Sequence, residues 1–454
     1  MNLKTYLLSI GALSLAASLM VNAAEEHPNI ILILSDDISS KDLACYGGYI
    51  KTPTLTRLAD KGVLFQTAWS APLCGPSRAI LHTGKYPYNQ GYYENGVTPT
   101  PSFTRDKRHQ PILRMAKAAG YATGMYGKVH HDRGEDASIY GMDDYCLWQK
   151  WDGHDGPYAR YWHPSYVANG KGVPTCADDF GPDIALQRIF NFIDVNKETP
   201  FFVYWPAVLA HGELSPETNR WGMPEVPEVN AAGKKTGGRV KGSLKSMIEY
   251  QDYLVGQLVE KLEKLGLMEN TIIFYIGDNG TPGYGKGKYN NEVALRVPFV
   301  VSGGPVKAIG SSDVLIDFTD IWPTLADLMG YAGPDNTDGH SFAPYLLGEP
   351  FTPRSTIQMA MNNARWLRNE NWLLDGYGHF WDCRGTRDES KYKDVTQSHD
   401  PEVMAARRQF EKELKKIPLP DYEDPKTKKS WQRFRKKNPP VKVFRPDYLD
   451  REVK

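Results

Sequence analysis

The sequence predicts an α/β domain, a large mostly parallel or mixed sheet covered by helices, followed by a smaller α+β subdomain. Three observations carry this prediction. Short, continuous apolar runs recur along the chain, the pattern of strands buried on both faces. They alternate with longer segments of helical periodicity. Near residue 345 the segments shorten and the alternation stops.

The first apolar run is residues 29–34, which ends abruptly in Ser35-Asp36-Asp37. A helix is expected to start near Thr52-Pro53, with Leu55, Leu58 and Ala59 on one face and Gly62 past its end. Residues 112–120 read as a helix and 121–126 as a strand. Residues 182–195 carry Ile184, Leu186, Ile189, Phe190 and Ile193 spaced for one helical face. Strands are expected at 201–205, 271–276 and 297–301, and helices at 244–265 and 318–329. Beyond residue 345, the strands 364–367 and 372–374 read as a hairpin around Arg368-Asn-Glu-Asn, preceded by a strand at 357–361, and 402–416 reads as a helix.

The ends of the chain look different. Lys4, an uncharged run over 6–21 and the small residues Val21-Asn22-Ala23 resemble an export signal, and no later apolar stretch is long enough to span a bilayer. The expected organisation is therefore a signal peptide at 1–23, a catalytic domain at 24–345 and a C-terminal subdomain at 346–454, in an exported, periplasmic or secreted protein. The segment 426–445 mixes Lys and Arg with Trp431, Phe434 and Phe444, and reads as a solvated basic tail in preference to a surface for an anionic polymer. Equal numbers of basic and acidic residues, 54 each, give no global field that would favour nucleic acid or a membrane surface. The 26 Tyr and 11 Trp residues are core filler and potential sugar platforms. Five cysteines leave one thiol over if the rest pair, and Cys74 is the candidate for it.

Ligands of open α/β sheets bind beyond the carboxyl ends of the strands. Those positions here hold Asp36 and Asp37; Lys128, His130 and His131; His211; and Asp278 and Asn279. Asp36, Asp37, Asp278 and Asn279 are hard oxygen donors, a set that suits Ca²⁺ or Mg²⁺ better than Zn²⁺. In the run from Leu73 to Lys85, Pro76 suits the first turn of a helix and Gly84 its end, which places Cys74 at a helix N-terminus. Alone, that placement is compatible with a thiolate of lowered pKa or with a buried thiol.

Cys74-Gly-Pro76-Ser77-Arg78 followed by Ala79-Ile-Leu81-His-Thr83-Gly84-Lys85 resembles the signature of the type I sulfatases, which belong to the alkaline-phosphatase-like superfamily. The resemblance covers roughly residues 28–345. It implies that Cys74 is oxidised to Cα-formylglycine by a separate maturation enzyme. A hydrated aldehyde carries two hydroxyls: one attacks sulfur and expels the alcohol, and deprotonation of the other releases sulfate. The resemblance further implies that Asp36, Asp37, Asp278 and Asn279 hold a metal, Ca²⁺ in preference to Mg²⁺, with residue 74 as an added ligand. Arg78 would orient the diol. Lys128 and His130 match a Gly-Lys-x-His element, and His130 would assist breakdown of the sulfated intermediate. His211 would meet the leaving-group oxygen, with a general-acid role open to it. Lys286 or Lys288, in Gly285-Lys-Gly-Lys288 ahead of Glu292, would bind sulfate, Lys286 matching the local motif better. Val129, Ala210 and Val293-Ala294 stand where the family carries Trp, Pro and Gly-Gly. The insertion at 128–180, rich in Trp, Tyr and Asp, is placed to wall a substrate pocket.

The function expected is hydrolysis of the sulfate esters of a sulfated oligo- or polysaccharide. A phosphonate or phosphate ester hydrolase of the same superfamily and a non-catalytic sulfated-glycan-binding protein are the alternatives.

Overall fold

A computed structural model of the chain describes residues 27–95, 110–129, 140–215, 220–361 and 364–418. The segment 1–23, expected to be an export signal, and the basic segment 426–445 lie outside the described residues.

Strand β1 (Asn29–Ser35) is the axis of the molecule. All seven of its residues are buried, and they alternate between two cores. Ile30, Leu32 and Leu34 face one hydrophobic cluster, and Ile31 and Ile33 face the other. This is the side-chain alternation of a strand covered on both faces. The remaining strands of this sheet are β2 (Val63–Trp69), β3 (Ala122–Gly127), β4 (Asp144–Trp148), β5 (Tyr166–Ala168), β6 (Lys171–Val173), β7 (Phe201–Pro206), β8 (Thr271–Gly277), β9 (Phe299–Ser302) and β10 (Gly310–Asp317). Their order is β10-β2-β9-β8-β1-β7-β3-β4-β5-β6. The centre, β8-β1-β7-β3-β4, is parallel, as is β10 on β2, while β9 runs against both its neighbours and β5 and β6 are antiparallel. The sheet is therefore mixed, with a parallel heart.

Helices α1 (Pro53–Asp60), α2 (Cys74–Thr83), α3 (Ile112–Ala118), α4 (Gly181–Asn196), α5 (Leu244–Lys264) and α6 (Ile321–Leu328) cover its faces. Ile80 of α2, Leu113 of α3 and Leu325 of α6 join the first cluster; Leu55 of α1, Ile189 of α4 and Leu258 of α5 join the second. The helix expected over 318–329 is divided. A turn of 3₁₀ helix at Phe318–Asp320, capped by the Asp317 carboxylate, precedes α6.

The smaller sheet is antiparallel in sequence order: β11 (Ile357–Met361), β12 (Ala364–Arg368), β13 (Trp372–Leu374), β14 (Phe380–Asp382) and β15 (Lys393–Asp394). The expected hairpin is present, with Leu367 opposite Leu374. Helix α7 (Pro401–Leu414) closes one face through Val403, Phe410 and Leu414. The other face, with Met359, Met361, Trp366 and Leu373, merges into the first cluster of the large sheet. All five cysteines are free thiols.

Candidate active site

Register brings the first four site residues together. Ser35 of β1 pairs with Gly277 of β8, so the residues that follow each strand, Asp36 and Asp278, leave the sheet side by side. The Asp278 amide donates to Ser35 O at 2.8 Å, and the Asp37 amide donates to Asp278 Oδ1 at 3.0 Å. Asp37 has φ of 65°, a left-handed conformation that Asp tolerates better than most residues and that turns the chain sharply. The loop after β7 is sewn to the same point: the Asp36 amide donates to Leu209 O at 2.7 Å, and the Ala210 amide to Asp36 O at 2.8 Å. His211 follows directly.

Cys74 is the first residue of α2, and the helix ends at Gly84, whose φ of 64° suits glycine. Cys74 Sγ lies 3.6 Å from Oδ1 of both Asp36 and Asp37. Ser77 fixes the approach. Its Oγ accepts from the Ala71 amide at 3.0 Å and lies 2.9 Å from Leu73 O and 3.0 Å from Ala71 O. The hydroxyl thus pins the loop that delivers Cys74, a role that sequence reading left unassigned.

The cations close around these carboxylates. Arg78 donates to Asp278 Oδ2 from Nε at 3.0 Å and from Nη2 at 2.8 Å, and from Nη1 to Lys128 O at 3.0 Å. Lys128 Nζ reaches Asp36 Oδ2 at 2.5 Å. Lys286 Nζ lies 2.7 Å from Asp37 Oδ1, whereas Lys288 is exposed and makes no ion pair among the described residues. His211 Nε2 is 3.5 Å from Asp37 Oδ2. Its Nδ1 is 2.6 Å from Gly212 O; a carbonyl only accepts, so Nδ1 carries a proton and any proton delivered by this ring leaves from Nε2. His130 and His131 lie outside the described residues.

Burial opposes ionisation of Asp36, but Lys128, His211, Arg78 and Lys286 hold it well below the ordinary carboxylate range. Burial and the Asp36 charge push Asp278 up to about 7, against the pull of Arg78 and Lys128. Burial, then the positive charges of Lys128 and Arg160, bring His211 down to about 4, with Asp36 and Asp37 opposing. The Cys74 thiol is fully buried, and burial followed by the Asp278 charge moves its pKa well up. Of the two readings of Cys74 left open by sequence, the buried, neutral thiol matches this environment.

The donor set fits a hard divalent cation. Asp36, Asp37, Asp278 and Asn279 are completely buried, and Asn279 Oδ1 has no hydrogen-bond partner while its Nδ2 donates to Asp37 Oδ1 at 2.7 Å. Ligand atoms of Asp36, Asp37, Cys74 and His211 lie within 4.8 Å of one another. Three carboxylates and an orphaned amide oxygen in one buried cluster are what an oxygen-preferring ion requires.

Two residues of the 128–180 insertion join the site without having been singled out by sequence. Tyr161 sets its hydroxyl 2.6 Å from His211 O and 2.7 Å from Val208 O, bracing the histidine loop. Arg160 brings Nη1 to 4.0 Å from Asp36 Oδ2. The aromatic richness of the insertion was the only local signal for either. Trp221, 64% exposed, lies with its ring 5.5 Å from that of His211.

Residues 28–331 match the family model described as Sulfatase. The chain is 30% identical to the ulvan-active sulfatase of Formosa agariphila, over 77% of this chain and 64% of that protein, so it spans just under two thirds of that relative's length. It is 27% identical to the N-acetylgalactosamine-6-O-sulfatase of Bacteroides thetaiotaomicron, over 76% of this chain and 82% of that one. Among solved structures, the PsFucS1 sulfatase from Pseudoalteromonas sp. shares the fold with a TM-score of 0.64 at 18% identity, covering 93% of this chain and 96% of that chain.

Proposed function

The chain belongs to the sulfatase family, and from that premise we propose that it hydrolyses sulfate esters of a sulfated oligo- or polysaccharide, with Cys74 converted to formylglycine by a maturation enzyme. The observation that carries this reading is the convergence on residue 74. Its side chain sits between Asp36 and Asp37 at the head of a buried helix, and Lys128 and Lys286 reach those same two carboxylates. The relatives named for ulvan and for N-acetylgalactosamine 6-sulfate supply the carbohydrate class.

Asp36, Asp37, Asp278 and Asn279 would hold Ca²⁺, with Mg²⁺ as the other candidate. The bound ion would polarise sulfate oxygen and lower the pKa of the hydrated aldehyde at position 74. The chain's own groups do the rest. Lys128 and Lys286 bind the sulfate oxygens and offset charge that builds on them. Arg78, through its two contacts to Asp278 and one to Lys128 O, fixes the metal-binding carboxylate and orients residue 74. His211 Nε2 faces the leaving-group oxygen, and His130 assists release of sulfate. Lys288, being exposed, is assigned no contact to sulfate.

The proposed organisation keeps a catalytic domain at 24–345 and a C-terminal subdomain at 346–454. The separate antiparallel sheet that begins with β11 at Ile357 supports that division. Export rests on residues 1–23; among the described residues no helix is long and apolar enough to cross a membrane.

The test is sulfate release from a panel of sulfated saccharides by protein matured with the modifying enzyme, beside a Cys74→Ala control. Release that the control lacks supports the proposal. Faster hydrolysis of a phosphate or phosphonate ester than of the matched sulfate ester would favour the rival hydrolase. Binding of a sulfated saccharide without turnover, with residue 74 shown to be converted, would favour the glycan-binding reading.

A further inference from the structure

We infer that Arg160 and Trp148 form a subsite for a second oxyanion of the substrate, a carboxylate or sulfate group carried beside the ester being cleaved. The inference rests on the proposed sulfatase reading and names what that substrate must carry.

Arg160 is 6% exposed, yet its Nε and Nη1 have no hydrogen-bond partner. The carboxylate oxygen nearest to it, Asp36 Oδ2 at 4.0 Å, is already held by Lys128 Nζ at 2.5 Å. A buried guanidinium with idle donors is unfavourable unless something completes it. What surrounds it is built to hold it there. The guanidinium carbon sits 4.1 Å over the Trp148 ring, and Tyr158 stacks on that ring at 4.8 Å. The Arg160 amide donates to Glu213 Oε1 at 2.7 Å, and the next residue, Tyr161, braces the His211 loop. Trp148 Nε1 is a further buried donor without a partner. A planar fork with an indole N–H beside it matches two or three oxygens of a single anion.

The reacting sulfate already has its cations in the proposed site. Lys128 and Lys286 already contact the carboxylates that flank Cys74, and they come from the strand-end loops. Arg160 comes from the segment between β4 and β5, and among the described residues its ion pair with the cluster is to Asp36. His211 and Lys286 meet it at Asp37. With Lys128 and Lys286 given to the reacting sulfate, the unpartnered donors of Arg160 are left for a group on the sugar that bears the ester or on its neighbour.

Calorimetric binding to full-length protein with Cys74 unconverted tests this without turnover. Three ligands are compared: a sulfated neutral monosaccharide, a sulfated disaccharide carrying a uronate, and a disulfated disaccharide. The expected result is that Arg160→Gln weakens one of the doubly anionic ligands at least about ten-fold more than the singly anionic one. The ligand that suffers more tells carboxylate from sulfate. Trp148→Phe, which keeps the stack and removes the donor, should shift the same ligand in the same direction by less. Arg160→Lys, which keeps the charge and loses the fork, carries the test if the Gln variant does not fold. Equal losses on all three ligands, or no loss on any, overturn the inference, as does wild-type protein that binds the doubly anionic ligands no more tightly than the neutral sugar sulfate. Absence of sulfate release by matured protein counts against the sulfatase reading instead, because the binding comparison does not depend on it.

Discussion

Glu292 lies in the loop between β8 and β9 that carries Lys286, and it is where the smaller sheet grips the larger domain. The side chain is completely buried. Trp69 Nε1, on β2, donates to it at 2.7 Å, and the Tyr392 hydroxyl donates to it at 2.5 Å. Arg368, on β12 and 1% exposed, places Nε 3.6 Å from the carboxylate. Burial works against the Arg368 charge, and Glu292 restores it, raising the guanidinium above its ordinary range. Glu292→Met removes an acceptor from two buried donors and leaves a buried cation unpaired. Breaking a buried pair in this way costs about 3–5 kcal/mol. Arg368→Met strands the carboxylate, which keeps its two donors, so its cost is smaller, about 2–4 kcal/mol. The double variant removes both charges and is expected to be less destabilised than the sum of the singles by at least about 1.5 kcal/mol. Urea unfolding of the four proteins closes the cycle. A Glu292→Met loss below about 1 kcal/mol, or strict additivity, would refute the view that this pair locks the two sheets together.

Four further outcomes follow from the geometry. Lys286→Ala should lower kcat/KM on a sulfate ester by about 10²–10³-fold, because it removes a donor to developing charge, while Lys288→Ala should stay within about three-fold; the reverse order would move the sulfate contact to Lys288. Ser77→Ala leaves the Ala71 amide without its acceptor and should cost about 1–3 kcal/mol in denaturation, with a matching fall in turnover; an unchanged unfolding midpoint would show that the loop holds itself. His379 is raised first by its hydrogen bond to Asp375, so its stabilising effect is complete below its unfolded pKa of about 6.5 and fades as pH rises through the higher folded value. Stability measured from pH 6 upward should therefore fall more steeply in wild type than in His379→Gln, and parallel profiles would argue against the pairing. Calcium added to chelator-treated protein at about 100 times its dissociation constant should stabilise the fold by about 2.7 kcal/mol, which Asp278→Asn should largely abolish; equal stabilisation of the two would place the ion elsewhere.

Much of this was legible in the chain before any coordinates. Residues 29–34, 201–205 and 271–276 announced buried parallel strands by their unbroken apolar character, and the structure seats them side by side at the centre of the sheet. Other strands were not visible, for physical reasons. Val63–Trp69 is broken by Gln66 and Thr67, and Gly310–Asp317 opens Gly-Ser-Ser-Asp because it lies at the sheet's edge, where one side needs no apolar cover. Asp144–Trp148 opens on an aspartate and buries only Cys146 and Leu147, so it shows no unbroken apolar run. Lys286 and Lys288 are two residues apart in a glycine-rich loop, and the local motif favours the first without settling it; the path of the loop, tied by the Gly287 amide to Pro72 O at 2.8 Å, brings Lys286 to Asp37.

By itself, the sequence determined the α/β class, the helix that begins at Cys74, and the residue types at each strand end. Those properties are local, written in periodicity, capping and adjacency along the chain. Only the tertiary structure decided that Arg160 stands over Trp148 beside Asp36, that Glu292 meets Arg368, and that Asp36 and Asp278 leave the sheet together. These meetings join residues as many as 242 positions apart, as between Asp36 and Asp278. The register of β1 on β8 and the packing of one sheet on another set them, and neither leaves a trace in the neighbouring sequence.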